Sequence, residues 1–152
     1  MRLSFSGAPE VAAPRDVVWK HLMDPDFVAQ SAPGVEQVEQ VDPEHFKVVS
    51  ALGVGAVKVR FTLDVALSDV VPPRQARMTA RGKAPGSAVE VDSFIELEDA
   101  PDGKTIMRWK ADSEVSGTVA SVGGRLLEGT ARRLSEAFWT DFAQRVGAAA
   151  RG

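Results

Sequence analysis

Strict alternation of apolar and polar residues runs through the middle of the chain. Val57, Val59, Phe61, Leu63, Val65 and Leu67 point one way, and Lys58, Arg60, Thr62 and Asp64 the other. This is the period-two signature of a strand with one buried face and one wet face. The pattern recurs in Ala76, Met78 and Ala80, then in Val89, Val91, Ser93, Ile95 and Leu97. It appears again in Met107, Trp109, Ala111, Ser113 and Val115, each run backed by charged or polar neighbours. Val35–Val41 and His45–Leu52 read as a hairpin across Asp42-Pro43-Glu44, with Gly53 and Gly55 at the next corner. Pro72-Pro73 and the APGS turn break later strands, and Asp102-Gly103 is a tight hairpin signal. Leu3 to Val11 reads as a first strand, in which Pro9 marks an edge or a bulge.

Helical periodicity appears in three places. Pro14 suits the first turn of a short helix whose apolar face is Val18, Trp19, Leu22 and Met23. Asp24 as N-cap and Pro25 behind it start a second, which Ser31–Gly34 ends. The long helical stretch is Gly117 to Val146, where Val119, Val122, Leu126, Thr130, Leu134, Phe138 and Phe142 recur at three- and four-residue steps. Gly123, Gly124 and Gly129 interrupt it, each interior glycine costing roughly 1 kcal/mol against alanine. Either the helix begins late, near Arg125, or the missing side chains leave room beneath its first turns while Leu134, Phe138 and Phe142 plug the far end. The elements predict an α+β fold. A seven-stranded, curved antiparallel sheet wraps a long C-terminal helix, with two short helices after the first strand, as one domain over residues 1–152.

Such a sheet encloses a space, and the inward residues describe its wall. The candidate lining is Trp19, Met23, Phe61, Leu63, Met78, Ser93, Ile95, Met107, Trp109, Ser113, Val122, Leu126, Leu134 and Phe138. It carries no charge and no histidine. Ala80, Ala111 and the helix glycines are small for a helix-on-sheet core, and Met78 and Met107 are adaptable fillers. Ser93 and Ser113 either bond backbone carbonyls or orient a guest in a mostly apolar pocket. A neutral, planar, apolar ligand fits that wall, with Trp19, Phe61 and Trp109 to stack on it.

Composition narrows the chemistry. The chain of 152 residues has a net charge of −3, which gives no electrostatic case for nucleic acid. Without cysteine there are no disulfides and no thiolate ligands or nucleophiles, in keeping with a cytoplasmic protein. The start, MRLSFSGAPEV, lacks the apolar core of a signal peptide, and no run is long enough to span a bilayer. The two histidines, His21 and His45, belong to no triad and no metal set. Gly53-Val54-Gly55 lacks the rest of a phosphate-cradling motif. Arg125, Arg132, Arg133, Arg145 and Arg151 outnumber Glu128, Glu136 and Asp141 late in the chain. That excess is either a solvated face or a weak contact with anionic lipid or an acidic partner.

Three stretches, PRDVVWKHLMDPDFVAQSAPGVEQVEQV, VKVRFTLDVALSDVVPP and VGGRLLEGTARRLSEAFWTDF, resemble the CoxG family, the G component of carbon monoxide dehydrogenase, within the START-like helix-grip (SRPBCC) superfamily. The most specific pieces are Pro33-Gly34, Val57 to Phe61, Leu67 to Asp69 before Pro72-Pro73, and Gly124 to Gly129. The resemblance implies a deep apolar cavity between sheet and helix, no covalent cofactor, and a bound lipid-like molecule such as a quinone, menaquinone among them. It also implies a molybdenum-containing carbon monoxide dehydrogenase or related hydroxylase as partner, and work at the inner face of the membrane. Many members continue past the long helix into a tail with a membrane-binding segment. This chain stops at Arg151-Gly152, so any membrane contact is expected to be peripheral.

Three functions follow as expectations. The first is a non-enzymatic carrier of a hydrophobic small molecule. The second is an enzyme of the polyketide cyclase or aromatase kind, which needs an acid–base residue inside. A strand register slipped by one would supply Glu90, Asp92, Arg108 and Glu114. The third is an assembly or docking protein with a filled core.

Overall fold

The computed structural model describes residues 1–152. One antiparallel sheet carries eight strands: β1 (Arg2–Gly7), β2 (Glu10–Val11), β3 (Val35–Asp42), β4 (His45–Val54), β5 (Val57–Val71), β6 (Gln75–Ala84), β7 (Ser87–Ala100) and β8 (Lys104–Gly117). Their spatial order is β1-β8-β7-β6-β5-β4-β3, with β2 also on β8. Helices α1 (Arg15–Leu22) and α2 (Pro25–Ala29) follow β2, and α3 (Gly124–Arg151) closes the chain. The first strand predicted from sequence is thus split. Pairing of Gly7 with Trp109 and Glu10 with Ile106 keeps one register across the gap, and the backbone N–H of Met107 donates to the carbonyl of Pro9. Pro9 interrupts an edge strand and makes no bulge, because it lacks only the donor. Gly7 is needed there: a Cβ would lie 2.7 Å from the Trp109 indole nitrogen.

The phases of β7 and β8 hold, whereas β3 shifts register between Val35 and Gln37 and between Gln40 and Asp42. Glu90, Asp92, Arg108 and Glu114 are exposed on the outer face, so no slip turns charge inward. The outer face is laced with exposed pairs such as Arg60–Glu36 at 2.7 Å and Arg108–Glu98 at 2.7 Å.

The long helix begins later than its periodicity suggests. Thr118–Val122 is a 3₁₀ turn, and Gly123 caps α3 with φ +102°, a backbone conformation natural to glycine. Gly123 and Gly124 are exposed, so they leave no hole beneath the first turn, and the positive φ of Gly123 serves the chain's change of direction. From Thr130 onward the predicted stripe holds: Thr130 and Phe142 are buried, and Leu134 and Phe138 are partly buried over the sheet. Leu127, Trp139, Phe142 and Val146 are buried, whereas Leu126, expected to face inward, is 42% exposed.

Buried side chains form two clusters. One joins Met107, Trp109, Ile95 and Leu97 of the sheet to Val18 of α1 and to Trp139, Phe142 and Val146 of α3. The other joins Leu3, Val59, Phe61 and Val115 to Val119 and Leu127. Their positions along each strand show what lies between. On β8, Val115 belongs to the second cluster and Trp109 to the first, with Ala111 and Ser113 in the middle. On α3, Leu127 belongs to the second and Phe142 to the first, with Leu134, Ser135 and Phe138 between. Large residues pack the two ends.

Candidate functional site

The centre is hollow. A cavity of about 400 Å³ lies between sheet and helix. Its floor is Leu63, Val65 and Leu67 of β5, Met78 and Ala80 of β6, Val91 and Ser93 of β7, and Ala111 of β8. Cross-strand pairs Leu67–Met78, Met78–Ser93 and Ser93–Ala111 bring these into a continuous row. Leu134, Ser135, Phe138 and Trp139 of α3 form the roof. Of the 25 lining residues 20 are hydrophobic, and the other five are Pro25, Pro33, Ser50, Ser93 and Ser135, so the wall holds no titratable side chain. The carboxylates with depressed pKa, Glu36 and Asp42, owe this first to hydrogen bonds from Arg60 and His45 on the surface, away from the cavity.

The remaining wall comes from α2, the loop behind it, β3 and β4. Asp24 caps α2 by accepting from the backbone N–H groups of Asp26 at 3.2 Å and Phe27 at 3.3 Å. With five residues and none fully buried, α2 cannot hold its place by its own packing. Arg145 of α3 holds it. One guanidinium nitrogen donates to the Phe27 carbonyl at 2.6 Å and to the Ser31 hydroxyl at 2.7 Å, and the other donates to Gln30 at 3.1 Å. The same guanidinium lies 4.0 Å from the Phe27 ring centroid, and Ser31 donates to Asp141 at 2.7 Å. Beyond α2, Ser50 donates to the Pro33 carbonyl and the Ala51 N–H to that of Gly34. Gly34 has φ +68°, and a Cβ there would collide with the Ala51 carbonyl. The loop thus presses against β4 as only glycine allows.

Of the residues singled out from sequence, Met23, Leu63, Met78, Ser93, Leu134 and Phe138 come together around the cavity. Phe61, Ile95, Met107 and Trp109 face the same way but sit one row further along, in the packed clusters, at 6% exposure or less. Trp109 stacks on Trp139 with centroids 5.6 Å apart, so that face is already occupied. Trp19 packs partly buried against the first cluster, and Val122 against the second. Ser113 pairs with Val91 and Leu3 one row beyond Ala111, outside the lining. Leu126 lies over Gly55 at the β4–β5 corner. Ser93 donates to the Met78 carbonyl at 3.1 Å, the backbone alternative of the two open to it.

Sequence reasoning misses the wall formed by Phe46, Val48, Ser50 and Leu52 of β4, although their alternation is there to be read. It also misses Val28, Ala29 and Ala32, which no periodicity marks on so short a helix, and Ser135 and Trp139, which flank the predicted stripe of α3.

The sequence model of the CoxG family, the G component of carbon monoxide dehydrogenase, matches residues 7–147. The chain belongs to that family. Comparison with curated proteins finds no match in sequence. Among solved structures, this CoxG-family protein is similar to a conserved protein from Geobacillus kaustophilus, at 25% identity, TM-score 0.88 and 96% coverage of each chain. It is also similar to a START superfamily protein from Mycobacterium smegmatis, at 15% identity and TM-score 0.72, over 94% of this chain and 96% of that one. A third is the Zhui aromatase/cyclase from Streptomyces sp. R1128, at 18% identity and TM-score 0.70, over 96% and 94%. The latter two share the fold, and the family and fold together indicate a ligand-binding or carrier role. No helix of the chain is long and apolar enough to cross a membrane.

Proposed function

We propose that this protein is a non-enzymatic carrier that lodges a hydrophobic small molecule, a quinone such as menaquinone, beneath α3. In this reading it serves a molybdenum-containing carbon monoxide dehydrogenase-type enzyme at the inner face of the membrane. The observation that carries the proposal is an uncharged hollow of about 400 Å³ between two tightly packed ends. Burial of apolar surface is the driving force such a space offers. Its size sets what fits. Between the density of liquid water and that of a protein interior, the hollow holds on the order of 13 to 20 heavy atoms. A methylated bicyclic quinone ring falls in that range, and a long isoprenoid tail exceeds it, so the tail would leave through the mouth. An aromatase or cyclase reading needs an acid–base group beside the substrate, and the lining supplies none.

The test is extraction of purified protein with organic solvent followed by mass spectrometry, then reconstitution of the extracted protein with menaquinone. The expected result is an apolar guest at up to one per chain and uptake of added quinone. Absence of both would overturn the carrier reading.

A further inference from the structure

Three hydroxyls line an otherwise apolar cavity, and their hydrogen bonds differ. Ser50 donates to the Pro33 carbonyl at 2.9 Å and Ser93 to the Met78 carbonyl at 3.1 Å, so both protons are committed to the protein's own backbone. These two serines lie on the sheet side and retain only lone pairs for a guest. Ser135 lies on the helix side, one turn before Trp139. Unlike Ser50 and Ser93, it makes no side-chain hydrogen bond within the chain. Ser135 is partly buried, which leaves its hydroxyl open to a guest in the cavity. A cavity this poor in polar groups offers a lone water few of the two to four contacts it needs.

We propose that Ser135 is the polar anchor of the cavity, donating its proton to a carbonyl oxygen of the guest. The inference rests on the carrier reading and deepens it by naming the residue that holds the guest's carbonyl. The cavity then selects ring ketones and quinones over hydrocarbons of the same shape. It also rejects carboxylate lipids, because no cation lines the wall to receive a buried anion. Ser50 and Ser93 contribute polarity without donor capacity, which leaves the helix side as the carbonyl end of the site.

Two probes of matched shape test this by titration calorimetry: 2-methyl-1,4-naphthoquinone and 2-methylnaphthalene. The wild-type protein is expected to bind the quinone more tightly. Ser135→Ala should weaken quinone binding roughly three- to tenfold, the worth of one neutral hydrogen bond, while leaving the hydrocarbon unchanged. Ser135→Thr, which keeps the hydroxyl, should restore most of the quinone affinity. Alanine favours the helix, so loss of folding does not confuse the comparison. Equal loss for both probes, or no loss for either, overturns the anchor while leaving the carrier reading intact. Failure of the wild-type protein to bind either probe overturns both.

Discussion

Filling the hollow tests the structure most directly, and Ala80→Phe is the substitution to make. Ala80 sits mid-floor on β6, 8% exposed, paired with Val65 on one side and Val91 on the other. All three line the cavity. The added phenyl ring needs about 120–180 Å³, between interior and liquid densities. That is about a third of the 400 Å³ available. In a filled core the same insertion would force neighbours off their rotamers and lose about 1–3 kcal/mol. In a void the ring instead buries its own surface, worth about 1.5–3 kcal/mol before the entropy of fixing it is subtracted. Stability should therefore stay level or rise by up to about 1 kcal/mol. A domain of this size shifts its melting temperature by about 2–4 °C per kcal/mol. Urea unfolding and thermal melts read the first half of the prediction. Quenching of tryptophan fluorescence by a naphthoquinone reads the second, since Trp139 lines the cavity. The variant should melt at or above the wild-type temperature and lose at least tenfold in quinone affinity. A melt lowered by several degrees with binding intact would refute the hollow interior.

Arg145→Ala should remove about 2 kcal/mol of stability, because its charged donors satisfy the Phe27 carbonyl, Ser31 and Gln30 together. It should also speed quinone release several-fold in stopped-flow measurements, since α2 would lose its tie to α3. Gly34→Ala should cost more than about 2 kcal/mol in urea unfolding, from a left-handed backbone and a collision with the Ala51 carbonyl. Glu36 lies below its ordinary value of 4.5, chiefly through the hydrogen bonds Arg60 donates to it. A depressed carboxylate favours the fold above its unfolded pKa, and that contribution fades as pH falls through the lower folded value. Glu36→Gln should accordingly flatten the loss of stability as pH falls below the ordinary carboxylate range, read as urea midpoints at successively lower pH.

The sheet is legible from sequence because alternation is a local property: one face meets the core, the other meets water, and each strand reports its own phase. Depth along the strand is not local. Trp109 and Ala111 share a face, yet one stacks on Trp139 and the other borders empty space. Which row a residue occupies depends on pairing with strands distant in the chain, such as Ser93 against Ala111 and Met78. That is why Phe61, Ile95, Met107 and Trp109 read as cavity wall in the sequence and form its packed ends in the fold. The helix departs from its sequence pattern for a different reason. Carrying one helix from Val119 through Gly123 assumes an unbroken α-helix, but the chain turns at Gly123 with φ +102° before α3 begins. The departure is confined to the first turn of α3, where Leu127 is buried in place of Leu126, while Thr130, Leu134, Phe138 and Phe142 keep the predicted stripe. The glycine pair is a visible signal of this, since two adjacent glycines more readily turn a chain than continue a helix. The hollow itself follows from layer order. The two packed clusters hold sheet and helix apart, and between them Ala80, Ser93 and Ala111, set among Leu63, Leu67 and Met78, leave part of the gap unfilled.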